Sequence, residues 1–415
     1  MNITLQPDLF FREKYLKKIR DFYHDTELIK VITGVRRCGK SSLIQMIIKE
    51  LLSDGISEDN IIFFNLDKRP YFDITTAVEL NDLIKENANA DGKKYLFIDE
   101  IQNINNFETV INAWREEGDF SIFITGSNSY LLSGELSTKL TGRYIEIDMY
   151  PLTFEEYLGM KEFLQIPLAD DLQELTNFVY DGGFPYSLKL RTLPARREYV
   201  ENLIEEIYQK DIHSRLRIRN KVAFEAIMNY FVSNFGASTN ITNIVSDLNK
   251  RGIKLKIETA NKYVEALENA KILIRCDRFD MKSRRALMGD KKYYLADLSF
   301  YFAMNTDKRI NYGPVLENIV HNYALARGYK VSIGRFGKFE CDFILRNKDM
   351  DYAYLQVAYT IMDSEDTENR EYRPLEMIKH DNYPRYVLTT DKLLQKRNGI
   401  IHANIMDFMK DEKDF

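Results

Sequence analysis

Residues 34–42 of this 415-residue chain read GVRRCGKSS, which fits the pattern G-x-x-x-x-G-K-[ST]. The apolar, β-branched run at 28–33 predicts a strand before this segment, and apolar residues at helical spacing over 42–52 predict a helix after it. A glycine-rich turn between a strand and a helix directs backbone N–H groups and the helix N-terminus at one anion. The segment therefore predicts an α/β fold that binds a nucleotide.

Individual residues of this loop have separate expected roles. Lys40 is expected to face the β and γ phosphates, and the Ser41 hydroxyl is expected to coordinate Mg²⁺. Gly34 and Gly39 allow the tight turns that the backbone needs. The predicted nucleotide-binding residues are Gly34, Val35, Arg36, Arg37, Cys38, Gly39, Lys40, Ser41 and Ser42.

A second strand-like run, KYLFI at 94–98, ends in the acidic pair Asp99 and Glu100. The carboxyl ends of parallel strands meet at the edge where α/β sheets bind their ligands. Asp99 is expected to hold Mg²⁺ through its water shell, and Glu100 is expected to polarise the attacking water. Together with the glycine loop, the two acids predict hydrolysis of the bound nucleotide.

Two further strand-like runs contribute candidates for catalysis. FSIFI at 120–124 precedes Ser127 and Asn128, and either side chain can hydrogen-bond the γ-phosphate or the attacking water. An ordinary turn after a strand is the alternative. Arg143 precedes an alternating strand, where a guanidinium can stabilise transition-state charge from a neighbouring subunit. A surface arginine beside a glycine turn is the alternative there, and the sequence leaves both questions open.

The stretches GVRRCGKS, LFIDE, ITGSNS and LTGRYIEIDMYPLTFEEYL resemble the ATPase domain of prokaryotic AAA-type proteins, in which a C-terminal domain of unknown function follows the ATPase. Later segments similar to the same family are GGFP at 182–185, YQKDI at 208–212, LQVAYT at 355–360 and NYPRYVLTTD at 382–391. The resemblance extends over nearly the whole chain. It implies nucleotide binding, with ATP as the nucleotide, and ATP hydrolysis; it implies little about the substrate.

Composition narrows the class of protein. The formal net charge of −5 argues against general nucleic-acid binding, although local basic faces remain open. Cys38, Cys276 and Cys341 are odd in number and lack disulfide or metal-ligand spacing, which indicates a reducing cytoplasm. The first residues mix acidic and basic groups, and no apolar stretch reaches the length of a bilayer span. We therefore expect neither a secretory signal nor a membrane anchor.

The chain is long enough for two or three domains. Strand and helix patterns alternate through about residue 150, with an additional strand at 60–66, and the pattern then becomes helical. We expect an α/β P-loop NTPase parallel sheet with a helical lid, a winged-helix segment and an α/β nuclease-like C-terminal domain. The expected boundaries are 1–150 for the ATPase core, 151–219 for the lid and linker, 220–305 for the winged-helix-like segment and 306–415 for the C-terminal domain.

The winged-helix prediction comes from helical stretches at 224–235, 241–250 and 258–270, followed by strand-like runs at 271–276 and 291–295. The third helix, with Lys262, would face a DNA groove. Basic residues of the last strand and the connection before it would contact phosphates: Arg278, Lys282, Arg284, Arg285, Lys291 and Lys292. Glu258, Glu265 and Glu268 on the third helix would repel phosphate. Duplex DNA binding and a structural or partner-binding role therefore both stay open.

The last hundred residues place Glu317 on a helix, Asp342 on a strand and the triplet Gln356-Val357-Ala358 on the next strand. This is the order found in nucleases with a PD-(D/E)xK core, where two carboxylates bind Mg²⁺ and a lysine activates water. Here glutamine is uncharged and alanine supplies no ammonium. We expect a nuclease-like fold without nuclease activity.

The combined expectation is a cytoplasmic P-loop ATPase that hydrolyses ATP with Mg²⁺ to drive a conformational change in a partner. Duplex DNA is one candidate partner, and a homo-oligomer would allow Arg143 to act on a neighbouring subunit. The alternatives are a slow nucleotide-gated switch, whose ATP site controls assembly or DNA affinity, and a DNA-processing nuclease powered by ATP.

Overall fold

The computed structural model describes residues 5–127, 140, 142–281, 285–286, 291–305, 310–337, 339–379 and 381–410. They fall into two compact units, Met1–Met149 and Tyr150–Phe415, and each unit contains a cluster of buried apolar residues. The division lies one residue from the predicted end of the ATPase core. The two other predicted boundaries fall inside the second unit and stay predictions.

A five-stranded parallel sheet forms the centre of the first unit. Its strands are β1 (Ile29–Gly34), β2 (Ile61–Asn65), β3 (Lys94–Asp99), β4 (Phe120–Gly126) and β5 (Tyr144–Met149). They pair in the order β2-β3-β4-β1-β5, and every pairing is parallel. All residues of β1 and β4 are buried, which explains why both strands are almost continuously apolar in sequence. The predicted α/β sheet is confirmed, and the carboxyl ends of its strands share one edge.

Helices of the first unit are α1 (Glu13–Ile19), α2 (Lys40–Ser53), α3 (Ala77–Asn87) and α4 (Phe107–Glu116). Helix α3 begins with a capping box, in which the Thr76 hydroxyl accepts from the Glu79 N–H and the Glu79 carboxylate accepts from the Thr76 N–H. Residues of α3 and α4, including Ile84 and Ile111, pack in one apolar cluster with residues of β1 to β4. This packing fixes the strand ends that carry the candidate site.

The second unit begins with α5 (Phe154–Phe163), α6 (Asp171–Asp181) and α7 (Leu193–Ile207), which continues into a π-helical turn at Tyr208–His213. The helical character predicted between 152 and 212 is confirmed. The segment GGFP follows α6 and lies against Asp297, whose Oδ2 accepts from the Gly183 N–H at 2.6 Å. A Cβ at Gly182 would lie 2.2 Å from Asp297 Oδ1, so the close approach requires glycine.

Three helices and a small antiparallel sheet follow in the predicted order. The helices are α8 (Lys221–Ser233), α9 (Ile241–Lys250) and α10 (Ile257–Asn269). The sheet has the order β6-β10-β7, with β6 (Ser238–Thr239), β7 (Leu273–Cys276) and β10 (Lys291–Leu295). The predicted helices and strands are present, and their assignment as a winged helix stays a prediction.

The connection between β7 and β10 differs from the predicted wing. It contains β8 (Arg278–Asp280) and β9 (Arg285–Ala286), and β8 pairs in parallel with a strand of the C-terminal sheet, with Arg278 opposite Ile333. Two of the predicted phosphate contacts are ion-paired within the protein: Arg278 with Glu340 at 2.8 Å, and Lys292 with Glu340 at 3.0 Å. The prediction that these two cations decorate a wing is wrong, because strand register turns them towards internal carboxylates. Lys282, Arg284 and the side chain of Arg285 lie outside the described residues.

An eight-stranded mixed sheet dominates the rest of the second unit, in the order β15-β16-β14-β13-β12-β11-β8-β9. Its remaining strands are β11 (Lys330–Phe336), β12 (Phe339–Arg346), β13 (Tyr352–Val357), β14 (Arg385–Thr389), β15 (Lys396–Arg397) and β16 (Ile400–Asn404). The helices are α11 (Ser299–Met304), α12 (Tyr312–Arg327), α13 (Glu365–Glu376) and α14 (Ile405–Lys410). Glu317 lies on a helix, and Asp342 and Gln356 lie on successive antiparallel strands, as predicted. Within the described ranges, no helix has the length and apolarity of a membrane span.

Candidate nucleotide-binding site

The loop from Gly34 to Ser42 leaves the carboxyl end of β1, the second-last strand of the sheet order, and leads directly into α2. Three of its residues have positive φ angles: Gly34 at 147°, Arg37 at 68° and Gly39 at 115°. A Cβ at Gly34 would lie 2.3 Å from the Met149 carbonyl oxygen at the end of β5, so this position requires glycine. Val35 and Cys38 are buried, and burial raises the pKa of the Cys38 thiol, which keeps the thiol protonated.

Lys40 is the first residue of α2, and its side chain folds back over the loop. Its Nζ donates to the Gly34 carbonyl at 3.0 Å and to the Val35 carbonyl at 3.3 Å, and the residue is buried. The ammonium therefore lies against the loop at the N-terminus of a 14-residue helix, where the helix dipole and unpaired N–H groups favour an anion.

Asp99, the last residue of β3, is fully buried and surrounded by hydrogen-bond donors. Its Oδ1 accepts from Thr125 Oγ1 at 2.6 Å, and its Oδ2 accepts from Asn65 Nδ2 at 2.7 Å. Ser41 and Lys40 both lie close enough to favour its charged form, so the structure brings the glycine loop and the acidic strand end together. Desolvation, followed by the charge of Glu100, raises the pKa of Asp99 to about 6, against the opposing effects of Thr125, Ser41 and Lys40.

Glu100 leaves the strand direction through a left-handed backbone conformation with φ of 60°. Its N–H donates to Thr125 Oγ1 at 3.0 Å, which holds this conformation in place. Its carboxylate accepts a hydrogen bond from Gln102 Nε2. A non-glycine residue in this region of φ/ψ space stores strain, a feature that clusters at functional sites.

Ser127 follows β4 and is completely buried between the loop and the acidic residues. Its Oγ accepts from Gln102 Nε2 at 3.3 Å and from Arg36 Nη2 at 3.4 Å. Arg36 in turn lies 3.6 Å from an Asp67 carboxylate oxygen. Ser127 therefore contacts both the glycine loop and the turn after the acidic pair, whereas Asn128 lies outside the described residues.

Arg143 lies at the opposite edge of the sheet from the loop. It directly precedes β5, which runs parallel to β1, and its carbonyl accepts from the Ile29 N–H at the start of β1. Six residues of strand separate the two edges, or about 20 Å. The exposed Arg143 side chain therefore does not reach the Lys40 pocket of its own chain. A catalytic role for it requires a second copy of the protein.

Four residues of the pocket were not predicted from the sequence. Asn65 is the last residue of β2 and Thr125 the second-last residue of β4, and these strands are the two neighbours of β3, so their contacts with Asp99 follow from strand order. Gln102 belongs to a short 3₁₀ turn after β3. Arg12 precedes α1, and its Nη1 donates to the Cys38 carbonyl at 3.0 Å. In the sequence, Asn65 and Thr125 are indicated only as the polar residues that follow the apolar runs at 61–64 and 120–124. No local pattern indicates Arg12.

The residues of the predicted metal site fit Mg²⁺ in their chemistry. A hydroxyl and a carboxylate supply the hard oxygen ligands that this ion prefers, and Ser41 lies near Asp99. Asp99 must be ionised to act as a ligand, and its raised pKa places that ionisation near pH 6.

A second polar cluster lies in the C-terminal sheet, around the nuclease-like positions. Asp342 Oδ2 accepts from the Val357 N–H at 2.8 Å, and Gln356 Nε2 donates to Glu371 at 3.0 Å. Burial and the charge of Glu317 raise the pKa of Asp342 well above its ordinary value. Lys292 Nζ lies 3.2 Å from Glu317 Oε2, so an ammonium from β10 compensates charge in this cluster. Within the described residues, no three His, Cys, Asp or Glu side chains are grouped to hold a metal ion.

Comparison with known proteins matches residues 26–158 to an AAA domain and residues 172–309 to a domain of unknown function, DUF8612. An uncharacterized protein of Haemophilus influenzae is 34% identical over 381 residues, which cover 91% of this chain and 92% of that protein. An uncharacterized protein of Methanocaldococcus jannaschii is 29% identical over 395 residues, which cover 90% of this chain and 86% of that protein.

Among solved structures, a Walker-type ATPase of Pyrococcus abyssi is similar to this chain with a TM-score of 0.51 and 16% sequence identity. The alignment covers 72% of this chain and 97% of that chain. At this level of identity, the likeness concerns the fold.

Proposed function

Because the chain belongs to the AAA-domain family that includes the Haemophilus influenzae relative, we propose that it binds ATP with Mg²⁺ and hydrolyses it to drive a conformational change in a partner. The family resemblance inferred from the sequence is confirmed at the level of the AAA domain and its P-loop fold. The relatives carry no description of activity, so the proposal rests on the site itself.

The observation that carries the proposal is the set of contacts of Ser127, whose Oγ accepts a hydrogen bond from Arg36 of the glycine loop at 3.4 Å and from Gln102 at 3.3 Å, while Gln102 also donates to the Glu100 carboxylate. These contacts join the loop to the acidic pair at the end of β3. A phosphate held by the loop is therefore adjacent to the acidic pair, which is the arrangement that phosphoryl transfer to water requires.

Each side chain has a defined part in this reaction. Lys40 and the loop N–H groups hold the phosphates by charge and hydrogen bonding, with the N-terminus of α2 adding its dipole. Ser41 and Asp99 would hold Mg²⁺, which when bound supplies positive charge to the phosphate oxygens. Glu100 accepts a proton from the attacking water, and we assign the buried Ser127 hydroxyl a contact with the γ-phosphate or that water.

Steady-state phosphate release tests the proposal. Lys40→Ala should remove turnover and weaken ATP binding, because it deletes the phosphate-binding ammonium. Glu100→Gln should lower kcat by about 10²-fold or more while ATP still binds, because it deletes the proton acceptor. Lys85→Ala, an exposed cation in the last turn of α3, is the matched control and should retain full turnover.

Failure of this test has a defined meaning. If the wild-type protein binds ATP but releases no phosphate above the level of Glu100→Gln, the hydrolase proposal is wrong. The slow nucleotide-gated switch then becomes the better description, with nucleotide controlling assembly rather than being consumed.

A catalytic role for Arg143 would require the protein to form an oligomer. The exposed position of this residue at the far edge of the sheet suits contact with a neighbouring subunit, where its guanidinium would stabilise transition-state charge. In the same assay, Arg143→Ala should lower kcat, and wild-type kcat should rise with protein concentration. If kcat changes neither with the substitution nor with the protein concentration, Arg143 does not act on the nucleotide site of a neighbouring subunit.

Duplex DNA as the partner depends on basic residues of the second unit. Arg278 and Lys292 are engaged with carboxylates, which leaves Lys262 on the exposed face of α10 as the clearest described candidate. A phosphate contact by Lys262 predicts that Lys262→Gln reduces the salt dependence of duplex binding by about one unit of slope. An unchanged slope would favour a protein partner for this segment.

A further inference from the structure

Gln102 lies in the 3₁₀ turn that follows β3, two residues beyond Glu100, and none of the roles assigned above includes it. Its Nε2 donates to the Glu100 carboxylate and also to Ser127 Oγ, at 3.3 Å. One side-chain amide therefore touches both the expected proton acceptor and the expected phosphate sensor.

The carboxylate of Glu100 fixes which way this amide points. An ionised carboxylate only accepts hydrogen bonds, so the NH₂ group must face it and the carbonyl oxygen must face away. That oxygen, Gln102 Oε1, is buried and has no hydrogen-bond partner among the described residues. A buried acceptor without a partner is unfavourable and indicates a position where a donor belongs.

We infer that Gln102 is a catalytic residue that orients the attacking water, with its Oε1 accepting one proton of that water while Glu100 accepts the other. With both protons directed to acceptors, a lone pair of the water points away from Glu100 and Gln102, towards the phosphate held by Lys40. The water oxygen then bonds to the γ-phosphorus, the bond to the β–γ bridging oxygen breaks with its electron pair leaving on ADP, and the released proton goes to Glu100. The inference rests on the proposed ATPase function.

The surrounding contacts connect this amide to the glycine loop. Ser127 Oγ accepts from both Gln102 and Arg36, and Arg36 is a residue of the loop itself. Gln102 is therefore held from two sides, by Glu100 and by Ser127, which limits the rotation of its amide. A fixed carbonyl direction is the property that a water-orienting group needs.

Two substitutions test the role. Gln102→Leu keeps a similar size but removes the amide, and Gln102→Glu keeps an oxygen acceptor but places a second carboxylate beside Glu100. We expect kcat to fall by about 10²-fold in Gln102→Leu, with KM and the ATP dissociation constant changed by less than about 3-fold. Binding of Mg-ADP with aluminium fluoride, which mimics the transferring phosphoryl group, should weaken much more than binding of ATP. Gln102→Glu should also lower kcat.

The control is Asn105→Leu, an exposed amide three residues further along, which should retain wild-type kcat. If Gln102→Leu does not fold, Gln102→Glu decides alone, since it keeps the shape and polarity of the side chain. If the wild-type protein hydrolyses ATP and both Gln102 variants have an equal or higher kcat, the inference is wrong and the ATPase proposal stands. A higher kcat would mean that Gln102 restrains Glu100. Absence of wild-type turnover overturns the ATPase proposal, and the inference with it.

Discussion

Asp99 is a carboxyl group that is almost completely removed from water. Two neutral donors, Asn65 and Thr125, hydrogen-bond to it, and Ser41 also favours its charged form, but burial and the adjacent Glu100 outweigh them. Its pKa is therefore raised to about 6 from 3.8. The protonated native form is favoured between these two values, so this group stabilises the fold most at low pH, and the contribution disappears as pH rises through about 6.

Asp99→Asn tests this description. A shift of about two pKa units corresponds to about 3 kcal/mol, so removing the charge should raise the free energy of unfolding at pH 8 by about 1–3 kcal/mol. The gain should vanish near pH 4, where the wild-type carboxyl is already protonated. Urea unfolding at both pH values, without nucleotide or Mg²⁺, measures it.

The exposed Asp91→Asn serves as the control for removing a carboxylate and should change the free energy of unfolding by no more than about 0.5 kcal/mol. An Asp99→Asn protein that is less stable than wild type at pH 8 would contradict the assigned cause of the pKa shift.

At the same scale, the motif residues were predictable and their neighbours were not. Lys40, Ser41, Asp99 and Glu100 occur at positions that local sequence order fixes, because a loop or a strand end places them whatever the rest of the chain does. Thr125 contacts Asp99 only because β4 pairs with β3, a pairing that no local pattern encodes.

Among the strands, β10 contains a basic residue, Lys292, that forms ion pairs within the protein. Lys292 Nζ lies 3.2 Å from Glu317 and 3.0 Å from Glu340, and its side chain is largely buried. Burial alone would lower the pKa of Lys292, but the charges of Glu317, Asp342 and Glu340 outweigh it and raise the pKa. The ammonium stays charged and connects β10 to carboxylates on α12 and β12.

Lys292→Ala should lower the free energy of unfolding by about 3 kcal/mol, because it leaves the mostly buried Glu317 carboxylate without its cation. The neighbouring Lys291→Ala should change the free energy by less than about 0.5 kcal/mol, because Lys291 is only half-buried. Denaturant unfolding of both variants measures the difference.

A further substitution separates charge compensation from packing. Glu317→Gln in the Lys292→Ala background should recover part of the lost stability, because it removes the uncompensated charge. Equal effects of Lys292→Ala and Lys291→Ala would contradict the assignment and return Lys292 to the surface role predicted from the sequence.

For the whole molecule, the division at Met149 assigns the nucleotide site to one unit and the nuclease-like sheet to the other. The single tryptophan, Trp114, belongs to the first unit, where its indole packs against Phe120 and donates to Asn81 Oδ1 at 3.2 Å. Its fluorescence therefore reports the unfolding of the unit that carries Lys40, Ser41 and Asp99.

Mg-ATP should stabilise this unit selectively. At a ligand concentration one hundred times the dissociation constant, linkage predicts about 2.7 kcal/mol, which shifts the unfolding midpoint of Trp114 fluorescence by several degrees. Lys40→Ala should reduce the shift, because it weakens ATP binding. If Mg-ATP does not change the unfolding midpoint of the wild-type protein, the nucleotide either binds outside the first unit or does not bind at all.

The glycine loop, the acidic strand end, the helix and strand types and the AAA family can be predicted from the chain alone, because each depends on residues close together in it. Three other features follow from the folding of the whole chain: the groups that surround Asp99, the position of Arg143 at the far edge from Lys40, and the contacts of Arg278 and Lys292 with carboxylates. These depend on which strands become neighbours and in what register. Strand neighbours and register depend on how the apolar surfaces of all segments are buried together, so they cannot be predicted from any single segment.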